Sequence, residues 1–312
     1  MLRILYLGTP QFAVPALQAL IESRHEVVAL VSQPDRPKGR GQHLQPTPTK
    51  VLAEARGVPV LQPTRLKDPD LYDRLRALAP DLGVVAAYGR LLPDALLELP
   101  RLGMINIHAS LLPKYRGAAP IHRAVIDGER ETGVTIMRVV SELDAGPMLL
   151  RAVRAIDPDE TTPEVEEALA ARGASLVLEA VDQLAAGVAI ETPQDHARAT
   201  HAPKIEKHEG AIAWDLPAER IHNLVRGLQP WPLVSARLNG KRVLIHRTRG
   251  TGARHDAPSG TLVSHDGLAV VCGDQGLLQI LEVQPEGKRA MSARDFLAGH
   301  PLPPGARFER LS

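Results

Sequence analysis

Short apolar runs alternate with segments of helical period through the first half of this chain, and that alternation restricts the fold more than any other feature. A β run over residues 2–7 is broken by Gly8-Thr9-Pro10, after which Ala13, Leu17, Leu20 and Ile21 recur at helical spacing. Further strands are expected over 25–31, 58–61, 82–87, 104–108, 133–139 and 148–156, with helices over 49–56, 69–79, 121–127 and 164–186. Strands separated by helices pair in parallel, because a parallel pair needs a long crossover and a helix supplies it. The pattern therefore predicts an α/β unit with a mostly parallel, Rossmann-like sheet and helices on both faces. The run over 82–87 is the most apolar and belongs at the sheet's centre, where both faces are covered.

The pattern changes in the last third. Residues 190–205 are polar, contain two prolines and show no period, which marks them as a connector. Short β runs follow over 234–238, 243–247, 260–263, 268–272 and 277–283, separated by NGK, SHDG and GDQG turns and flanked by helices over 218–227 and 292–297. Such spacing predicts a small OB-like antiparallel barrel. The expected organisation is a catalytic domain over 1–189, a connector over 190–205 and a barrel domain over 206–312. With 44% hydrophobic and 23% charged residues, composition is that of an ordinary globular protein. A net charge of +1 excludes a strong global field, although 14 Lys and Arg against 11 Asp and Glu after residue 205 leave the second domain slightly basic. Cys272 stands alone in an apolar run, where a buried inert thiol in a reducing cytoplasm is expected. No apolar run approaches the ~20 residues that cross a bilayer. The chain opens directly on a strand pattern, so a leader peptide is not expected, and a monomer is.

In an open parallel sheet, ligands sit beyond the carboxyl ends of the strands. Three segments end there: Gly8-Thr9-Pro10, the stretch 87–93, and Asn106-Ile107-His108. Strand alternation puts Asn106 and His108 on one face. A carboxamide beside an imidazole suits acyl chemistry, because both can donate to the charge that grows on a carbonyl oxygen under attack by an amine. Asp144, in the polar loop SELDAG, is the candidate to orient His108 and help move the amine proton. On residue types alone the same groups also serve as loop caps. The chain lacks a G-x-G-x-x-G fingerprint, a Walker lysine and a G-x-S-x-G elbow around Ser110, and no His/Cys/Asp/Glu spacing suits a metal.

The string INIHASLLPKYRGAAPIHRAVIDGERETGVTIMRVVSELDAGPML, preceded by RILYLGTPQFAVPAL and SQPDRPKGRGQ, resembles the methionyl-tRNA formyltransferase family, and the small second domain extends the likeness over nearly the whole chain. The resemblance implies formyl transfer from the co-substrate 10-formyltetrahydrofolate to initiator methionyl-tRNA, with Asn106, His108 and Asp144 at the catalytic positions and no metal. It places folate against Ala87, Tyr88, Gly89 and Leu92 and against Ser110, Leu111, Leu112 and Pro113. It assigns tRNA contacts to Arg36, Lys38 and Arg40 in the loop 33–46, with Arg40 nearest the acceptor end; Gln42-His43 departs from the further lysine often found there. In the second domain Lys204, Lys207, Arg220, Arg226, Arg237, Lys241, Arg242 and Arg247 are candidates for phosphate contacts. The competing readings are a formyltransferase or hydrolase with another acceptor, which the basic loop and the barrel disfavour, and a noncatalytic RNA-binding protein, which the intact triad disfavours.

Overall fold

The protein, described by a computed structural model over residues 1–38 and 43–309, divides into two compact units. One comprises Met1–Pro120, Thr132–Arg154 and Glu166–Ala202; the other comprises Ile121–Glu131, Ala155–Val165 and Pro203–Ser312. The units are thus interleaved in sequence, unlike the single division expected at 190–205. Local hydrogen bonds are the reason: Thr162 Oγ1 donates to the Gly227 carbonyl at 2.9 Å, Arg226 Nη1 donates to the Glu160 carbonyl at 3.1 Å, and Arg220 reaches the Ile126 carbonyl. Residues 190–202 likewise belong to the first unit, where Arg116 N donates to the Thr200 carbonyl at 2.8 Å.

Among the described residues, the earlier part of the chain forms β1 (Arg3–Gly8), β2 (Glu26–Val31), β3 (Arg36–Lys38), β4 (His43–Gln45), β5 (Val60–Leu61), β6 (Leu82–Ala86), β7 (Met104–His108), β8 (Arg116–Gly117), β9 (Glu131–Arg138), β10 (Met148–Ala155) and β11 (His201–Ala202). Helices α1 (Val14–Ile21), α2 (Pro48–Ala55), α3 (Pro69–Ala77), α4 (Asp94–Leu97), α5 (Pro120–Ile126) and α6 (Thr162–Ala186) lie between them. Seven strands form one sheet in the order β10-β9-β7-β6-β1-β2-β5. The five from β5 to β7 are mutually parallel, and β9 runs antiparallel to β7. As the uninterrupted apolar run predicts, β6 occupies the middle and all five of its residues are buried. Leu5, Leu7, Val31, Leu71, Leu75 and Met104 are buried together in one core cluster. Each such side chain contributes roughly 1.5–3 kcal/mol on leaving water. Gly173 of α6 lets that helix approach the sheet, since a Cβ there would lie 2.9 Å from an Ile107 methyl.

In the second unit, α7 (Ala218–Gly227) precedes β12 (Val234–Leu238), β13 (Lys241–Arg254), β14 (Leu262–Ser264), β15 (Leu268–Val271), β16 (Gly276–Pro285), β17 (Met291–Ser292) and α8 (Ala293–Gly299). The strands form an antiparallel sheet in the order β12-β13-β16-β15-β14, with β17 on β16. Its two ends are joined by single bridges: Glu309 exchanges hydrogen bonds with Arg237 of β12, and Arg307 bridges Thr261 beside β14. The OB-like closure is therefore made by the chain's last described residues rather than by a continuous ladder. Among the described residues, no helix is long and apolar enough to cross a membrane.

Candidate active site

The carboxyl ends of β1, β2 and β6 converge through backbone and short polar side chains. Thr9 Oγ1 and Gln33 Nε2 both donate to the Tyr88 carbonyl, at 3.4 and 3.2 Å, and Gln33 N donates to Thr9 Oγ1 at 3.2 Å. The turn after β6 is tight: Ala87 and Gly89 both have positive φ, and both are exposed. Tyr88 between them points the other way. Its side chain is 2% exposed and packs in the core, its hydroxyl has no partner among the described residues, and burial raises its pKa. Of the expected folate-contacting side chains in this segment, Tyr88 thus offers no surface, while Leu92 is half-buried against the same core.

On β7, Asn106 and His108 share a face as alternation requires. Asn106 is half-buried and its carboxamide makes no hydrogen bond among the described residues. His108 is 5% exposed, and its Nε2 lies 2.9 Å from the Tyr115 carbonyl. A carbonyl only accepts, so Nε2 carries a proton and Nδ1 is the nitrogen left for chemistry. Asp144 Oδ2 lies 3.7 Å from that Nδ1 and accepts from Gly117 N at 2.8 Å. At 3.7 Å Asp144 stands beside Nδ1 as a charged neighbour rather than a hydrogen-bond partner, while the Tyr115 carbonyl fixes the ring through Nε2.

The loop between His108 and α5 is fixed from several sides. Thr135, directly opposite His108 in the β7–β9 ladder, donates from Oγ1 to the Ser110 carbonyl at 2.7 Å and accepts from Leu112 N at 3.2 Å. Thr200 Oγ1 accepts from Tyr115 N at 2.9 Å, which holds a residue of positive φ in place. Gly117, at φ +121, brings the β8–β11 pair together; a Cβ there would meet the Ala202 carbonyl at 2.8 Å. Ser110 is fully buried with Oγ donating to the Lys114 carbonyl, and Leu112 is fully buried against Met137 and Met148. The half-buried Leu111 and Pro113 are the loop's remaining apolar candidates. Spacing gave no signal for Thr135, Thr200 or Tyr115, because each acts through a partner distant in sequence.

The basic candidates fall in separate places. The segment 33–46, expected to be irregular, contains the antiparallel pair β3–β4, with exposed Arg36 opposite Gln45 and Lys38 opposite His43. Arg40 lies outside the described residues. Asp35 anchors the start of this hairpin, accepting from Gln62 Nε2 at 2.7 Å and Lys50 Nζ at 2.6 Å, and these bonds lower its pKa. In the second unit Lys204, Lys207, Arg237, Lys241 and Arg242 are exposed, and β12–β13 pairing sets Arg237 directly opposite Arg242. Arg226 is 5% exposed and donates to Asn223 and Glu160, Arg247 pairs with Glu164 at 2.6 Å, and Arg220 holds the Ile126 carbonyl. Arg226 is thus buried in the fold, whereas the Arg220 and Arg247 side chains, each with a partner within its unit, stay 43% and 49% exposed.

Residues 2–181 match the formyl transferase family, and residues 204–301 match the formyl transferase C-terminal domain. A methionyl-tRNA formyltransferase of Geotalea uraniireducens is 45% identical over 305 residues, covering 98% of this chain and 97% of that one. That of Methylococcus capsulatus is 48% identical over 302 residues, covering 96% and 98%. Among solved structures, the N-formyltransferase from Helicobacter canadensis in complex with folinic acid and dTDP-3-aminofucose superposes with a TM-score of 0.69 at 14% identity, over 91% of this chain and 100% of that one, a likeness of fold. Both family matches and the near full-length identity to these relatives lead to one assignment: the chain belongs to the methionyl-tRNA formyltransferase family of formyl transferases.

Proposed function

We propose that the protein transfers the formyl group of 10-formyltetrahydrofolate to the amino group of methionine on initiator methionyl-tRNA. The observation that carries this reading is the pairing of an uncommitted Asn106 carboxamide with His108 Nδ1, beside the Asp144 carboxylate 3.7 Å away. In the reaction, the methionyl nitrogen attacks the formyl carbon and a C–N bond forms. The carbonyl oxygen takes up the charge, and the Asn106 NH2 and a protonated His108 Nδ1 donate to it. The nitrogen's proton passes towards Asp144, which can accept it because its Oδ2 is held at the site by Gly117 N. Collapse of the adduct breaks the bond from the formyl carbon to N10, and N10 leaves as a neutral amine by taking up the proton that Asp144 received, which restores the carboxylate. The relatives' names support the acceptor, and the exposed cations Arg36, Lys204, Lys207, Arg237, Lys241 and Arg242, with Lys38 and Arg40, supply phosphate contacts in this reading. Folate lies against Ala87, Gly89, Leu92, Leu111 and Pro113, while Tyr88, Ser110 and Leu112 contribute backbone only.

Incubation with 10-formyltetrahydrofolate and charged initiator methionyl-tRNA, and separately with charged elongator methionyl-tRNA, tests the proposal through formyl-methionine release. Formylation confined to the initiator is expected. Formylation of neither RNA would move the acceptor to another amine and refute it.

A further inference from the structure

Asp144 has φ +50, a left-handed conformation that surrounding bonds must hold, and its loop spans residues without regular structure. The bonds come from Gln194, in the stretch that looks like a polar connector. Its Nε2 donates to the Asp144 carbonyl at 2.9 Å and to the Gly146 carbonyl at 2.8 Å, so one amide clamps both sides of the turn. The amide is itself fixed. Gln194 Oε1 accepts from Arg116 Nε at 3.1 Å and Nη2 at 2.8 Å, and the two residues are 5% and 4% exposed. Arg116 is steadied further by His196 Nδ1 at 3.4 Å and by Glu142 at 3.6 Å. Its backbone neighbours are the groups that hold the reacting side chains, since Tyr115 O accepts from His108 Nε2 and Gly117 N donates to the Asp144 carboxylate.

A closed circuit follows: His108 to Tyr115, through Arg116 to Gln194, through Gln194 to the Asp144 backbone, and from the Asp144 carboxylate back to His108. We propose that Gln194 is a positioning residue, anchored on Arg116, that sets the Asp144 carboxylate against His108 Nδ1. This rests on the formyl-transfer reading above. Both polar ends of Gln194 are required, because an acceptor alone would face two carbonyl oxygens and a donor alone would face the guanidinium.

The test compares wild type, Gln194→Glu, Asp144→Asn and the double variant in the methionyl-tRNA formylation assay. Gln194→Glu keeps the length and the bond to Arg116 but removes both N–H donors. Misplacement of a reacting group by about 1 Å costs on the order of 100-fold, so a 10- to 100-fold fall in kcat is expected for this variant, with KM for the RNA within about twofold. Asp144→Asn should fall further, and adding Gln194→Glu to it should change little, since residues acting as one unit are not additive. Gln194→Met, which brings in no charge, is read the same way should the glutamate variant fail to fold. Gln194 variants at the wild-type rate beside an inactive Asp144→Asn would overturn this inference alone, as would a full multiplicative loss in the double variant. A fully active Asp144→Asn would overturn the catalytic reading and this inference with it.

Discussion

The single hydrogen-bond partner that a residue lacks or has decides what its loss should do. Asn106 has none among the described residues, so Asn106→Ala removes the proposed oxyanion donor without opening a buried polar network. A fall in kcat of about 100- to 1,000-fold is expected, with RNA affinity and the thermal midpoint unchanged. Steady-state kinetics beside a melting curve checks this, and wild-type turnover would remove Asn106 from the mechanism. Cys272 is the opposite case. It is 2% exposed, and burial together with the nearby Asp274 charge pushes its thiol up to about 12. The thiolate is the reactive form, so at pH 8 only about one molecule in 10⁴ presents it, and the fraction rises tenfold per pH unit. Iodoacetamide should leave the native protein unlabelled and modify one thiol per chain in denaturant; rapid native labelling would contradict the burial.

Pairing between strands puts forces on the β12–β13 hairpin that neither strand has alone. Arg237 and Arg242 stand directly opposite on exposed positions, an arrangement that repels in the free protein and is relieved by an anion between them. Arg242→Gln should therefore raise the thermal midpoint slightly at low salt, weaken RNA binding, and reduce the slope of log K against log salt by about 1. An unchanged slope would exclude a phosphate contact there. This pairing illustrates what the sequence made legible and what it did not. Apolar periodicity located β6 at the sheet's centre and α7 over 218–227, because burial on a fixed face leaves a periodic trace. The β3–β4 hairpin lies hidden among glycines and prolines because Arg36, Pro37 and the three β4 residues are all exposed and leave no apolar trace. The 190–205 stretch read as a connector for a similar reason. Gln194 and Thr200 are polar groups that hold other polar groups, and hydrogen bonding to distant partners imposes no period. At the site, Asn106 and His108 follow from alternation, while Asp144 is a candidate by residue type in a polar loop, and no spacing places it beside His108 because a loop has no register.

With a net charge of only +1, the molecule as a whole cannot draw RNA by its total field, so affinity must come from local cations. The proposed phosphate contacts are Arg36, Lys38, Arg40, Lys204, Lys207, Arg237, Lys241 and Arg242. If every one neutralised a phosphate, the slope of log K against log salt would reach about −7, using roughly 0.9 per contact on a duplex. The catalytic residues contribute nothing to this slope. In the proposed mechanism they act on the formyl carbon, with Nε2 of His108 bound to Tyr115 and Oδ2 of Asp144 bound to Gly117, bonds that are largely shielded from ions because His108 is buried and the Asp144 side chain is 13% exposed. Salt should therefore act on recognition and not on chemistry. Raising salt from about 50 to 200 mM should increase KM for initiator methionyl-tRNA steeply while leaving kcat at saturating RNA within about twofold and KM for 10-formyltetrahydrofolate nearly constant. A KM for RNA that ignores salt would dismiss the phosphate contacts. A kcat that falls with salt would mean that RNA contacts help assemble the catalytic geometry, which the internal bonds of His108 and Asp144 argue against.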